Sequence, residues 1–127
     1  MKIAVDVFGG DNSPRAQVKG SIDFIDQTKD VELVLVGDKQ AIENELGKYK
    51  FDAGRITVEH APDVITNDDV PTAAIRAKKD SSLVRTFDLL KNDDSISGMI
   101  SSGSTGAVLT GSVLKIGRIN GVLRPAL

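Results

Sequence analysis

The segment with the clearest chemical potential is Ser101-Ser102-Gly103-Ser104-Thr105-Gly106, which combines hydroxyl side chains with two glycines ahead of an apolar stretch. Hydroxyls and backbone N–H groups at a helix start can converge on one tetrahedral anion. No lysine follows Gly106, so this is not a Walker A loop. The alternative is a polar connector with a helix cap. We favour an anion site formed by Ser101, Gly103, Ser104, Thr105 and Gly106.

A second candidate loop lies near the N-terminus and reads Gly9-Gly10-Asp11-Asn12-Ser13-Pro14. Its two glycines permit positive φ and a close approach of the backbone to a ligand, and a helix start behind them suits an anion. Asp11 opposes a bound anion unless it orients a cation or accepts a proton. A tight turn with a side-chain cap is the equal alternative. The G-x-G-x-x-G spacing of a dinucleotide fingerprint is missing.

The only histidine, His60, directly follows the third apolar run and precedes an acidic segment. At the end of a strand it is either a proton donor or acceptor, or a hydrogen-bonded structural residue. Asp68 and Asp69 most simply cap a helix that opens at Pro71, and without further ligands they predict no metal site. Lys78 closes that helix; its spacing favours an interaction with the helix C-terminus over one with a phosphate.

The elements that position these loops follow from the hydrophobic pattern. Four short β-branched runs predict strands buried on both faces: Lys2–Val7, Val31–Val36, Arg55–Glu59 and Ile96–Ile100. Amphipathic stretches predict five helices: from Pro14 behind a Ser13 cap, from an Asp38 cap to Gly47, from Pro71 to about Lys79, from a serine cap at Ser81 or Ser82, and over Ala107–Ile116. This alternation predicts an α/β fold with a mostly parallel sheet between helix layers and ligands beyond the carboxyl ends of the strands.

Composition narrows the class of protein further. The 127 residues are 40% hydrophobic and 27% charged, which suits one ordinary domain. A net charge of −2 gives no global basic surface for nucleic acid. The absence of cysteine excludes disulfides and a thiol nucleophile, and a single histidine excludes sites built on two. No apolar run approaches the ~18 residues of a membrane span, and no signal peptide is evident, so we expect a cytoplasmic domain.

Read in order, these segments resemble the bacterial phosphate acyltransferase family PlsX, of fatty-acid and phospholipid synthesis. The resemblance covers the whole chain and rests on many short pieces in one order. These are Ile3–Asp6, Gly9–Asn12 and Pro14; Val36–Asp38; His60–Pro62 with Val64–Ile65; Asp68, Asp69 and Pro71; Ala74–Arg76 and Lys78–Ser82; Ser101, Gly103 and Thr105–Ala107; Gly117–Ile119 and Arg124–Leu127. The family usually has Ala-Met at Val7-Phe8, and Ala and Asn at Ser102 and Ser104.

The resemblance implies a three-layer α/β/α fold similar to that of the isocitrate and isopropylmalate dehydrogenases. It implies an enzyme that moves a fatty acyl group from acyl carrier protein to inorganic phosphate, giving acyl phosphate. Members of the family act as homodimers, need no cofactor, and associate peripherally with the membrane without spanning it. Phosphate is then its own nucleophile, which agrees with the absence of cysteine.

The resemblance also implies roles for the candidate residues. Phosphate is expected to bind to the loop from Ser101 to Gly106 and to Gly9 and Gly10, with Lys78 assisting. His60 would act as proton donor or oxyanion partner, and Asp6 and Asp11 would orient these groups. Acyl carrier protein is acidic, so a basic docking patch is expected among Arg76, Lys79, Arg85, Lys115, Arg118 and Arg124.

Two rival functions stay open at this point. One is the nucleotide-binding domain of a dehydrogenase, in which Asp38 would mimic the ribose-binding carboxylate. The other is a non-catalytic phosphate-binding module. Family members are longer and this chain stops on apolar Ala126-Leu127. We therefore expect residues 1–127 to be the N-terminal part of a single phosphate acyltransferase fold, inactive when isolated.

Overall fold

Four parallel strands form the sheet in the computed structural model, which describes all residues 1–127. They are β1 (Lys2–Asp6), β2 (Glu32–Gly37), β3 (Ile56–His60) and β4 (Ile96–Ser101), arranged in the order β3-β2-β1-β4. The chain runs outward from β1 to β3 and then returns to the other side of β1. The gap between β1 and β4 is therefore the topological switch point, where α/β sheets bind ligands. The predicted α/β class and parallel sheet are confirmed.

Five α-helices connect and cover the strands. They are α1 (Arg15–Gln27), α2 (Lys39–Leu46), α3 (Pro71–Ala77), α4 (Ser82–Asn92) and α5 (Thr105–Gly111). A 3-10 turn at Ala53–Arg55 precedes β3, and α5 continues into a wider π-type turn at Ser112–Ile116. None of the helices combines the length and apolar composition needed to cross a lipid bilayer.

Alternating side chains on the strands build a separate core on each face of the sheet. Val5 and Leu35 point to one face and pack with residues of α1 and α2, such as Ile22 and Ile42. The intervening residues, such as Val36, point to the other face, where α4 contributes partly buried side chains. A third cluster joins α3, α4 and the start of α5. The result is helix, sheet and helix in three layers, as period-two patterning on doubly buried strands requires.

Two predicted helix caps are confirmed and two are wrong. The Asp38 side chain accepts from the Ala41 N–H at 2.8 Å, and that of Ser81 accepts from the Val84 N–H at 3.3 Å. Ser13 instead accepts from the Gly10 N–H at 2.8 Å, and α1 begins after Pro14 without a side-chain cap. Neither Asp68 nor Asp69 caps α3, which begins without a side-chain cap.

Arg55 is a structural residue that the hydrophobic pattern did not reveal. Its guanidinium donates to the backbone carbonyls of Ile25, Thr28 and Val31 at 2.7–3.0 Å. These carbonyls lie at the end of α1 and at the start of the chain that leads into β2. Helix C-termini leave carbonyls without hydrogen-bond partners and carry a partial negative charge. The planar guanidinium of Arg55 donates to several of these carbonyls, and its positive charge interacts favourably with the helix end.

Candidate functional site

A hydrogen-bonded chain links the carboxyl ends of β1 and β4. Asp6, the last residue of β1, is only 1% exposed. Its carboxylate accepts from the Phe8 N–H at 3.1 Å and from the Ser101 hydroxyl at 2.8 Å, and Ser101 in turn accepts from the Gly103 N–H at 3.1 Å. Since a carboxylate only accepts hydrogen bonds, the direction of the Ser101 hydroxyl is fixed. Asp6 therefore sets the conformation of the loop that follows β4.

Gly9 and Gly10 bring the two loops into contact without positive φ, which neither glycine adopts. A Cβ atom at Gly9 would lie 2.5 Å from the Gly103 Cα atom and 2.6 Å from its nitrogen. A Cβ atom at Gly10 would lie 2.6 Å from the Gln17 side-chain nitrogen and 3.0 Å from the Ser102 hydroxyl. Gly9 is thus required for the close approach of one backbone to another, whereas Gly10 is crowded by side chains. The sequence had suggested close approach to a ligand instead.

In the loop after β4, some polar groups form hydrogen bonds within the protein, and other hydroxyl groups have protons that remain available to a ligand. The Ser101 hydroxyl and the Gly103 N–H are used within the protein. Ser102 accepts from the Gln17 side-chain amide at 2.9 Å, and Ser104 accepts from the Ala107 N–H at 3.4 Å as the cap of α5. The hydroxyl protons of Ser102, Ser104 and the exposed Thr105 have no acceptor. These are the donors that this loop can offer to an anion.

A polar pocket of about 190 Å³ opens beside the first loop. Phe8, Gly9, Gly10 and Asp11 form one wall, and the chain from Val64 to Asn67 forms the other. Gly106, at the start of α5, lies against Pro71: a Cβ atom built there would be 2.9 Å from the Pro71 ring. The segment from Val64 to Asn67 therefore borders the first loop, and the first residue of α3 borders the second.

Lys78 holds this second wall in place. Its ammonium group donates to the Val64 carbonyl at 2.9 Å and to the Asp69 carboxylate at 2.8 Å, and Asp69 also accepts from the Thr66 N–H at 2.8 Å. The hydrogen bond between them raises the pKa of Lys78 and lowers the pKa of Asp69. Lys78 contacts the wall, not the hydroxyl-rich loop, and its role toward phosphate stays a prediction.

His60 lies at the far side of the sheet. It ends the edge strand β3, is exposed, and its Nδ1 atom accepts from the Lys39 N–H at 3.1 Å at the start of α2. Adjacent strands are about 4.8 Å apart, so three spacings put β3 roughly 14 Å from β4. The structure does not bring His60 to the loops after β1 and β4. Only its Nε2 edge is free for chemistry.

The structure groups no three histidine, cysteine or carboxylate side chains in a way that fits a metal ion. Of the residues expected at the site, it brings together Asp6, Gly9, Gly10, Ser101 and Gly103, with Asp11, Ser104, Thr105 and Gly106 on the same loops. His60 and Lys78 lie outside this group. Gln17 is an addition that sequence reasoning missed, since nothing in its position on α1 predicted a hydrogen bond to Ser102.

The fold and the loops define the class of protein. It is a doubly wound α/β domain in which the loops after β1 and β4 pack closely at their glycines at the topological switch point. The model of a family described as "Fatty acid synthesis protein" matches residues 1–127, and the chain belongs to that family. It is 46% identical to a protein of Clostridium novyi (strain NT), 42% identical to one of Clostridioides difficile (strain 630) and 44% identical to one of Fusobacterium nucleatum, each named "Phosphate acyltransferase". All 127 residues match, covering 37–38% of the length of each relative. The resemblance is confirmed.

Proposed function

We propose that the full-length protein carrying this sequence is an acyltransferase that moves a fatty acyl group from acyl carrier protein to inorganic phosphate. The product is an acyl phosphate for phospholipid synthesis. The family description and the name of the relatives support the acyl and phosphate chemistry in general. The observation that carries the proposal is the chain from Asp6 through Ser101 to Gly103, which holds a hydroxyl-bearing loop at the switch point.

The reaction needs positioning more than a protein nucleophile. Inorganic phosphate is partly dianionic at neutral pH, by analogy with phosphate monoesters, whose second pKa is about 6. One of its oxygens attacks the thioester carbonyl, forming a C–O bond and a tetrahedral oxyanion. Collapse of that oxyanion breaks the C–S bond, and the carrier leaves as a thiolate that takes up a proton. Holding the two substrates together and stabilising the oxyanion supply the rate enhancement.

In this proposal phosphate binds to the loop from Ser101 to Gly106. Ser104 and Thr105 supply free hydroxyl donors, and Gly9 and Gly10 face the adjoining pocket. Asp6, Ser101 and Gly103 act as positioning residues because their hydrogen bonds are made within the protein. Asp11 lies at the rim of the pocket, where its carboxylate orients a donor or accepts a proton.

The resemblance assigns two further roles that the sheet geometry places at a distance. His60 would donate a proton or a hydrogen bond through its free Nε2 edge, which requires a substrate that extends from β4 toward β3. Lys78 would act through the segment from Val64 to Asp69, which it fixes. The same resemblance supports a cytoplasmic homodimer that associates with the membrane surface and uses no cofactor.

Trapping of the product tests the proposal. The full-length protein is incubated with acyl–acyl carrier protein and phosphate, and hydroxylamine converts any acyl phosphate to a hydroxamate. Hydroxylamine also reacts with the thioester itself, so we expect hydroxamate above that background only when both the protein and phosphate are present. Binding of phosphate without hydroxamate would indicate a non-catalytic module instead. Saturable binding of NAD would indicate a dehydrogenase domain, although the Asp38 carboxylate already serves as the cap of α2.

A further inference from the structure

Four cations surround an exposed leucine on the surface formed by α3, the turn after α5 and the C-terminal segment. We call this surface the basic face; it consists of Arg76, Lys79, Lys115 and Arg124 around Leu114. Two adjoining grooves of about 530 Å³ each lie there, and both are lined by Arg76 and Leu114. Leu114 is 47% exposed and neighbouring Leu123 is 84% exposed. Apolar and cationic groups are thus presented together.

The basic face gathers several cations without salt bridges around apolar residues. Other cations, such as Lys19, Lys39 and Lys48, form salt bridges with acids three or four residues away in the chain. Neither groove is lined by an acidic residue. Arg76, Lys79 and Arg124 form no salt bridge, and only Lys115 reaches an acid, Asp88, at 3.2 Å. Within these two grooves there is therefore a local excess of positive charge, in a chain with a net charge of −2.

The structure also shows that the six cations expected to form a docking patch do not all lie on one surface. Arg85 is paired with Asp80 at 2.8 Å and lies near Glu59 at 3.9 Å, and Arg118 donates to the Leu123 carbonyl. Neither lines the two grooves. The other four share one face, which the sequence alone did not show.

We propose that the basic face docks an acidic protein, which under the proposed function is acyl carrier protein. Carboxylates of the partner would pair with Arg76, Lys79 and Arg124, and an apolar side chain would cover Leu114. Complementary charge speeds encounter and fixes orientation, while an apolar centre supplies contact area. A protruding side chain of a protein fills a groove, whereas a lipid surface does not, which favours a protein partner over a membrane. This inference rests on the proposed function for the identity of the partner.

The test uses the full-length protein with Arg76→Glu and Arg124→Glu combined. We expect the KM for acyl–acyl carrier protein to rise by about tenfold or more, because two attractive contacts become repulsive. The kcat, the KM for phosphate and the rate with a small acyl thioester that lacks the carrier should stay within about twofold. Arg76→Gln with Arg124→Gln should give a smaller rise in the same direction, and it serves if the charge reversal impairs folding.

The matched control is Lys29→Glu with Lys50→Glu, which makes the same charge change at exposed cations that also form no salt bridge. An equal rise in the KM for acyl–acyl carrier protein in the control would show that net charge alone causes the effect. That result would overturn the proposal. So would an unchanged KM in both basic-face variants, or an equal loss of rate with the small thioester. Loss of binding to anionic phospholipid vesicles at unchanged carrier KM would assign the face to a membrane instead.

Direct titration of the carrier without an acyl group separates this inference from the proposed function. If the unchanged protein forms no acyl phosphate, the proposed function fails. Binding of the carrier that the double variant weakens would still support the basic face. A carrier that does not bind the unchanged protein, or binds both proteins equally, would overturn it.

Discussion

At the carboxyl edge of the sheet, the loops after β1 and β4 lie in backbone contact, whereas His60 at the end of β3 is tied to the start of α2. Topology explains the difference. The connection between β2 and β3 stays on one face of the sheet. Its polar groups therefore form hydrogen bonds with one another at the start of α2, where Asp38 is the cap and His60 accepts from the Lys39 N–H. Between β1 and β4 the connections diverge to opposite faces and leave a crevice. Here a buried carboxylate and two glycines fix the loops, and hydroxyl donors are left over for a ligand.

The largest effect is expected from Gly9→Ala. The added Cβ atom would lie 2.5 Å from the Gly103 Cα atom, so the two loops must separate. We expect a loss of about 1–3 kcal/mol in the free energy of unfolding, as for other overpacked sites. Acyl phosphate formation by the full-length protein should fall about 100-fold, because small misplacements of reacting groups are that costly. Denaturant unfolding and the hydroxamate assay measure the two effects.

Alanine substitutions at two other glycines provide comparisons for the effect of Gly9→Ala. Gly103→Ala should cost less, since its Cβ atom would lie 3.2 Å from the nearest atoms. Gly20→Ala lies inside α1, where the added Cβ atom would meet no atom within 4 Å beyond the backbone of its own helix. This change should stabilise the protein by about 0.5–1 kcal/mol without loss of activity. Normal activity of the Gly9→Ala protein would show that contact between the loops does not matter to function.

Asp6→Asn should have the next largest effect. The amide cannot accept from both the Phe8 N–H and the Ser101 hydroxyl, because one side of it is a donor. Hydrogen bonds to charged groups contribute about 1.5–3 kcal/mol, so we expect turnover to fall about 10- to 100-fold. The KM for acyl–acyl carrier protein should change little, which separates this residue from the basic face.

A double-mutant cycle with Ser101→Ala checks the mechanism of that loss. If Asp6 acts by fixing the Ser101 hydroxyl, Asp6→Asn should cost much less when Ser101 is already alanine. Additive losses would mean that the two side chains act separately, and the positioning role of Asp6 would be wrong.

The sequence predicted most of the scaffold and part of the site, for separable reasons. Apolar runs and caps such as Asp38 and Ser81 depend on local chemistry, so strands and helix starts were placed within a few residues. Strand order depends on contacts between distant segments, which local patterns do not contain. For that reason, neither the pairing of Asp6 with Ser101 nor the distance of His60 from Ser101 could be predicted from the sequence. Arg55 and Gln17 were missed because their partners are distant in the chain.

His60→Ala tests the other side of the comparison. Loss of the acceptor for the Lys39 N–H should cost about 0.5–1.5 kcal/mol in the free energy of unfolding. A general acid is worth about 100- to 10,000-fold in rate. From its position on β3 we expect turnover to fall by less than about tenfold. The resemblance implies the larger loss. Observing the larger loss in a variant that remains folded under the assay conditions would show that the reacting centre extends across the sheet to β3.

The smallest effect concerns the wall held by Lys78, and it appears as a dependence on pH. The hydrogen bond from Lys78 lowers the pKa of Asp69 from its ordinary value of 3.8 in the folded protein. The folded state therefore binds a proton at Asp69 less readily than the unfolded state. Its stabilisation is present above pH 3.8 and is lost as the pH falls through the folded value. Asp69→Asn should make the free energy of unfolding fall less steeply in this acidic range.

Asp68→Asn is the matched control, because Asp68 is exposed and makes no hydrogen bond. It should leave the free energy of unfolding unchanged because no hydrogen bond is lost, whereas Asp69→Asn should also raise the KM for phosphate if the wall bounds the phosphate pocket. An unchanged KM together with the expected loss of acid dependence would mean that Lys78 and Asp69 only brace the segment before α3. The phosphate site would then be confined to the loops after β1 and β4, which would sharpen the contrast between the switch point and the rest of the edge.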